Sequence, residues 1–177
     1  LPLVIAPDPR LKQVSKPVKA VTDETRQLMD DMLETMYAMN GIGLAAIQVG
    51  VPQRILVMDI EWGSSRYEQE EGLEPHRNPL FLVNPEIIDT SSETNTYEEG
   101  CLSFPGQYAD VTRPKRVSVK YLDYHGKAQV MDCDELLSTC LQHEMDHLDG
   151  IVFVDHVSKM KRDMILRKLK KAKKREE

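Results

Sequence analysis

No run of apolar residues in this chain approaches the roughly 20 that a membrane-crossing helix requires, which excludes a helical span. The first nine residues, Leu1 to Pro9, lack the basic start and apolar stretch of a secretory signal. An initiator Met is also missing, from which trimming of the chain is expected. Cysteine is scarce. Three residues cannot all pair with one another, and a chain of 177 residues can hold a core without a disulfide. A reducing, cytoplasmic setting is therefore expected. Repeats and low-complexity linkers are absent. With 41% apolar and 29% charged residues, the composition is that of a globular protein, not a disordered, collagen-like or membrane-embedded one. The length fits one domain over residues 1–177.

The charge is uneven. From Lys159 to Glu177 there are 10 Lys and Arg against 3 Asp and Glu, net +7, which leaves 13 against 26 and a net of −13 on the rest. An acidic body with a basic end does not suit a general or sequence-specific nucleic-acid binder, although the end itself suits an anionic surface.

Leu28, Met32 and Met36, with Met29, Leu33 and Tyr37, recur at helical spacing and predict a helix from about Asp23 to Met39, capped by Thr22 and stopped by Gly41. Arg54 to Ile60 reads as a buried strand, and Phe81 to Ile88 as another. Trp62 to Asn78, with Glu68, Glu70, Glu71 and Glu74, reads as a long exposed loop. Val117, Val119 and Tyr121 alternate with polar residues, and a turn at Tyr124 to Lys127 leads into a further strand, Ala128 to Cys133. A second helix is expected from Asp134 to Gly150. A third is expected from Ser158 into the basic end, with Met160, Met164, Ile165, Leu169 and Ala172 on one face. Strands and helices do not alternate regularly, so the fold class is α+β.

The second helix contains His143-Glu144-Met145-Asp146-His147, the pattern H-E-x-x-H. Histidines four apart project from one helix face and can grip one metal ion, and the adjacent Glu can reach a water on it. Leu136, Leu137, Cys140 and Leu141 mark the helix as buried, where two histidines need partners. Three candidates exist for a third ligand. The long zinc-peptidase pattern ends at Phe153, which cannot ligate, and His156 misses that spacing by three. Cys140 lies seven residues from His147, about 10 Å along a helix, too far for one ion to serve both. Cys101, beside Gly100 in Glu98-Glu99-Gly100-Cys101-Leu102-Ser103, sits in a tight turn after a strand and is the favoured ligand, as a thiolate.

Gly41-Ile42-Gly43-Leu44-Ala45-Ala46 matches the loose dinucleotide fingerprint, but it follows a helix where the fingerprint must follow a strand, and that reading is rejected. The better reading is a segment whose backbone approaches something closely. Gln48 is then either an oxyanion donor or an ordinary polar loop residue.

Gly41 to Gln48, Glu99 to Ser103 and Gln142 to His147, in this order and spacing, resemble the three signature motifs of peptide deformylase. The resemblance extends from Leu11 to the C-terminal helix. It implies a hydrolase that removes the formyl group from the N-terminal formyl-methionine of newly made proteins and releases formate. A water made acidic by the metal is the nucleophile. It further implies Cys101, His143 and His147 as ligands of one divalent metal, with ferrous iron as the native ion and zinc, nickel or cobalt as ions that can replace it. Glu144 is implied as general acid and base. Gln48 and the backbone N–H of Leu102 are implied as oxyanion donors. Ile42, Gly43 and Gly100 would meet the peptide backbone, and Cys140 would line the methionine slot. The implied fold is a single α+β domain with short antiparallel sheets around the H-E-x-x-H helix, an N-terminal helix, and a C-terminal helix over about 158–177. The implied partners are nascent formyl-methionyl polypeptides, with the ribosome docked by the basic helix. Two other readings compete: a zinc peptidase cutting internal bonds, and a binding protein with a closed structural site using Cys133 or Asp146 as a fourth ligand.

Overall fold

The computed structural model describes residues 1–65 and 76–176. The first long helix, α1 (Asp23–Ala38), begins at Thr22, whose hydroxyl and backbone exchange hydrogen bonds with Thr25 as a capping box. Met29, Met32 and Met36 are wholly buried on one face. Asn40, in the left-handed region at φ 61°, turns the chain out of the helix, so the stop precedes the expected Gly41. Gly41 serves a close approach instead: a Cβ there would lie 2.7 Å from the Leu102 side chain.

Seven strands follow: β1 (Gly43–Ala45), β2 (Ile55–Met58), β3 (Leu80–Thr90), β4 (Thr94–Cys101), β5 (Phe104–Pro114), β6 (Arg116–Leu122) and β7 (Ala128–Asp134). Five form an antiparallel sheet in the order β1-β2-β3-β6-β7, while β4 and β5 form a separate antiparallel pair. All four residues of β2 are buried because both sheet faces are covered. Leu56 and Met58 face the core under the second long helix, and Ile55 and Val57 face the one under α1. β3 runs longer than expected and accommodates Asn84-Pro85 as a register shift, where the Asn84 amide bonds both backbone groups of Val18. The β6–β7 hairpin turns where expected, with the Asp123 carboxylate accepting from His125 and Lys127 N–H.

The segment expected as an exposed loop from Trp62 is different at its start. A short helix, α2 (Ile60–Ser65), follows β2, and Trp62 is buried in the core under α1. Apolar packing at Ile60 and Trp62 outweighs the polar average of the stretch. Its acidic part, residues 66–75, lies outside the described residues.

The H-E-x-x-H helix, α3 (Glu135–Leu148), lies between the five-stranded sheet and the β4–β5 pair and is buried from Ser138 to Glu144. Its C-terminus is capped from outside, with the Arg54 guanidinium donating to the Leu148 carbonyl at 3.0 Å. Gly150, at φ 72°, turns away where a Cβ would collide with the Lys12 carbonyl at 2.4 Å. The last helix, α4 (Lys159–Glu176), closes a further core with Phe104, Val111, Phe153 and Val154. Its inner face differs from the expected one. Ile165 and Leu169 are buried, whereas Met160 and Met164 are 78% and 46% exposed and Ala172 is exposed. The helix touches the body along one narrow line, so only part of the apolar stripe finds a surface.

Candidate metal centre

α3 aims His143 and His147 toward the end of β4. There Cys101 and Phe104 pair across the strands, leaving Leu102 and Ser103 as a two-residue turn. The ligand atoms of Cys101, His143 and His147 all lie within 4.8 Å of one another, the one such group among the described residues. Cys101 Sγ is 3.4 Å from His147 Nε2. Glu99 accepts from His143 Nδ1 at 2.8 Å, so Nδ1 carries a proton and Nε2 is left for a metal. Two buried polar atoms here have no hydrogen-bonding partner among the described residues: His147 Nδ1 and Glu144 Oε2. One thiolate, two imidazoles and an unsatisfied buried carboxylate form a donor set that suits one zinc or iron ion.

The buried groups here shift one another's titration, and a metal on His143 Nε2 would displace the second proton of the imidazolium. Burial disfavours charge on His143, but the Cys101 sulfur and the Glu99 carboxylate prevail and hold its pKa well above the ordinary value. Burial, reinforced by the neighbouring His143, holds His147 well below it. Burial pushes Glu144 up to about 7, although His143 pulls the other way. Such a carboxyl can both take and release a proton near neutral pH. Glu144 Oε1 lies 3.6 Å from His143 Nε2.

Gln48 is buried in a short 3₁₀ turn after β1. Its Oε1 accepts from Ala45 N–H at 2.9 Å, which fixes the amide so that Nε2 points to Cys101 Sγ at 3.3 Å and Ser103 Oγ at 3.1 Å. Gly43 packs so closely on α3 that a Cβ would lie 2.9 Å from Glu144 Cγ and 3.1 Å from Cys140 Sγ. Gly100 is covered by the Tyr108 ring, 2.6 Å from such a Cβ. Ile42 lies between the two cores beside α3, and its carbonyl is 3.8 Å from Cys140 Sγ. All ten residues expected at the site therefore belong to one contiguous cluster of segments. Two rival expectations do not hold. Phe153, in place of a third peptidase histidine, stacks on the His143 ring with centroids 6.0 Å apart. Cys133 sits in the apolar core with its thiol pushed up to about 11 by burial, and Asp146 is taken up by Arg113 and His156, each at 2.8 Å.

Comparison with known proteins agrees with this geometry. A model of the polypeptide deformylase family matches residues 1–163. The chain is 52% identical to the peptide deformylase of Rhizobium meliloti over 171 residues, covering 97% of this chain and 92% of the relative. The chain belongs to the polypeptide deformylase family. Among solved structures, the peptide deformylase of Ehrlichia chaffeensis superposes with a TM-score of 0.88 at 43% identity, covering 99% of this chain and 98% of that one. The same organism's peptide deformylase in complex with actinonin gives 0.86 at 46% identity, over 97% and 96% of the two chains. A polypeptide deformylase is a metal-dependent hydrolase that removes the formyl group from the N-terminus of a nascent polypeptide, so the α+β fold and the activity expected from the motifs both hold.

Motif reading assigned no role to Glu99 and passed over Arg113. Arg113 donates twice to Glu99, at 2.7 and 2.9 Å, and once to Asp146 at 2.8 Å, and is itself buried. A signal existed: Ala109, Val111 and Arg113 alternate along β5, which puts the guanidinium on the inward face where only carboxylates can satisfy it. The motifs carry the candidate ligands, whereas this ion network fixes one of them, His143, through Glu99.

Proposed function

We propose that this chain deformylates nascent formyl-methionyl polypeptides with Cys101, His143 and His147 as the metal ligands and Glu144 as the proton carrier. The observation that carries this reading is the convergence of the three ligand atoms within 4.8 Å beside a buried carboxyl with an unsatisfied oxygen. When bound, a divalent ion supplies Lewis-acid chemistry, making water a nucleophile near neutral pH and polarising a carbonyl. Glu144 takes the proton of the attacking water on a carboxylate oxygen and passes it to the departing amine. The formyl C–N bond breaks as the C–O bond forms, giving formate and a free N-terminus. Gln48 Nε2–H and the Leu102 backbone N–H donate to the oxygen on which charge develops. β1 is the end strand of its sheet. Ile42 and Gly43, with Gly100 opposite, meet the peptide backbone, and Cys140 lines the methionine slot.

Ferrous iron is the native ion, in the cytoplasm, with zinc, nickel or cobalt able to replace it. A thiolate beside ferrous iron is open to oxidation, so the iron form is expected to lose activity in air faster than the nickel or zinc form. Equal lifetimes would remove iron's special standing. α4 docks the enzyme to the ribosome through its exposed Lys and Arg side chains. Deleting Lys170 to Glu177 is expected to weaken co-sedimentation in a salt-dependent way, and unchanged binding removes that partner.

The deciding experiment is formate release from a formyl-methionyl peptide by iron-loaded protein handled without oxygen, with Glu144→Gln as control. Rapid release by the parent, with loss of turnover but retained metal in the variant, supports the reading. Full metal occupancy with no release by the parent points to a structural site.

A further inference from the structure

Trp62 is the chain's single tryptophan and lies outside the three motifs. Its indole N–H donates to the carbonyl of Gly41 at 3.0 Å, and both residues are buried. Three residues earlier, the Asp59 N–H donates to the next carbonyl, that of Ile42, at 2.8 Å. Two consecutive carbonyls of the segment before β1 are thus held from behind by one short stretch of chain.

That stretch is itself firmly seated. The Asp59 carboxylate is wholly buried and accepts three hydrogen bonds: from the Trp62 N–H at 2.9 Å, the Asn78 N–H at 2.9 Å and the Tyr37 hydroxyl. The Tyr37 and Trp62 rings meet edge to face with centroids 5.0 Å apart, and the Arg77 guanidinium lies over both. On its other side the held segment has no slack, since Gly41 abuts Leu102 and Gly43 abuts Glu144 and Cys140.

We propose that Trp62, seated by Asp59 and Tyr37, is a positioning residue that sets the substrate wall through the Gly41 carbonyl. The proposal rests on the reading above that Ile42 and Gly43 meet the peptide. Trp62 touches no reacting atom. Its effect is on a surface that grips ground state and transition state alike, so it belongs in KM more than in kcat.

The test is Trp62→Phe in the full, metal-loaded chain, which keeps an aromatic ring against Tyr37 and removes the N–H. KM for formyl-Met-Ala-Ser is expected to rise about fivefold, as for one lost buried hydrogen bond, with kcat within about twofold. An unchanged KM, or a fall in kcat at constant KM, overturns the proposal. Tyr37→Phe removes one bond from Asp59 and leaves the indole on Gly41, so its KM is expected to rise by no more than about twofold. A rise equal to that of Trp62→Phe reduces the effect to general loosening and overturns the proposal. A second measurement needs no variant. Because Trp62 is the only tryptophan, saturating the holoenzyme with the product Met-Ala-Ser is expected to shift its emission, and unchanged emission overturns the proposal. Absence of formate release by the parent brings down the underlying reading and this inference with it. Release by the parent with normal Trp62→Phe kinetics brings down the inference alone.

Discussion

The metal centre is held from two sides by different chemistry. On one side a charged chain runs from His143 through Glu99 and Arg113 to Asp146 and ends at His156, whose Nε2 is 2.8 Å from Asp146 Oδ2. On the other side hydrogen bonds from uncharged donors link Ala45, Gln48 and Ser103 to Cys101. The charged side fixes the His143 tautomer, and its buried members, Glu99 and Arg113, cannot be removed singly without leaving a buried charge. The neutral side fixes a direction, and its members can be removed at modest cost. The largest expected effect therefore lies on the charged side. Arg113→Met leaves Glu99 buried beside only His143 and is expected to cost about 3–5 kcal/mol of stability, on the order of 10 °C in Tm. Adding Glu99→Gln to that variant removes the uncompensated charge and should recover part of the loss. Calorimetry of the parent, the single and the double variant decides it. A single variant within about 1 kcal/mol of the parent would mean that the ion network does not hold the site.

On the neutral side the expected loss appears in rate. Ser103 Oγ accepts one of the two Gln48 amide hydrogens, which leaves the other for Cys101 and the substrate oxygen. Ser103→Ala frees the amide to wander and is expected to lower kcat about five- to tenfold, the worth of one neutral hydrogen bond. Gln48→Ala alone should cost about 10²–10³. The comparison sharpens in the double variant. If Ser103 acts through Gln48, its removal costs nothing further once Gln48 is gone. Additive losses would place Ser103 in a role of its own.

What could be read from the sequence follows this division. The three proposed ligands and Glu144 were legible as one cluster because each sits in a short local pattern, and helical spacing alone brings His143 and His147 to one face. The long helices were legible from periodicity and caps, as at Thr22. The β4–β5 pair was largely missed because Thr94 to Glu99 is polar and lacks an apolar alternation. Its stability comes from pairing and from covering α3. Alternation along β5 marked Arg113 as inward, but the partners of Arg113, Asp59 and Trp62 were not legible, because they lie 14 to 33 residues away for Arg113, 19 to 22 for the Tyr37 and Asn78 contacts of Asp59, and 21 for Trp62. Local propensity carries no record of such contacts. On α4 the periodic stripe was real, but which part of it found a neighbour depended on the body it meets.

The smallest expected effect tests where the charged side ends. His156 is about two-fifths exposed, and its partner Asp146 keeps Arg113 as a second, better-buried ligand. An exposed pair of this kind contributes about 0–1 kcal/mol. His156→Ala should therefore shift stability by less than about 1 kcal/mol and leave kcat within about twofold, while Arg113→Met fails on both counts. If His156→Ala instead loses as much as Arg113→Met, the network extends to the surface as one unit, and the His156 imidazole is needed to hold Asp146 against Arg113. If it loses nothing, the functional boundary of the site runs between Asp146 and His156, at the point where solvent begins to replace protein as the partner of charge.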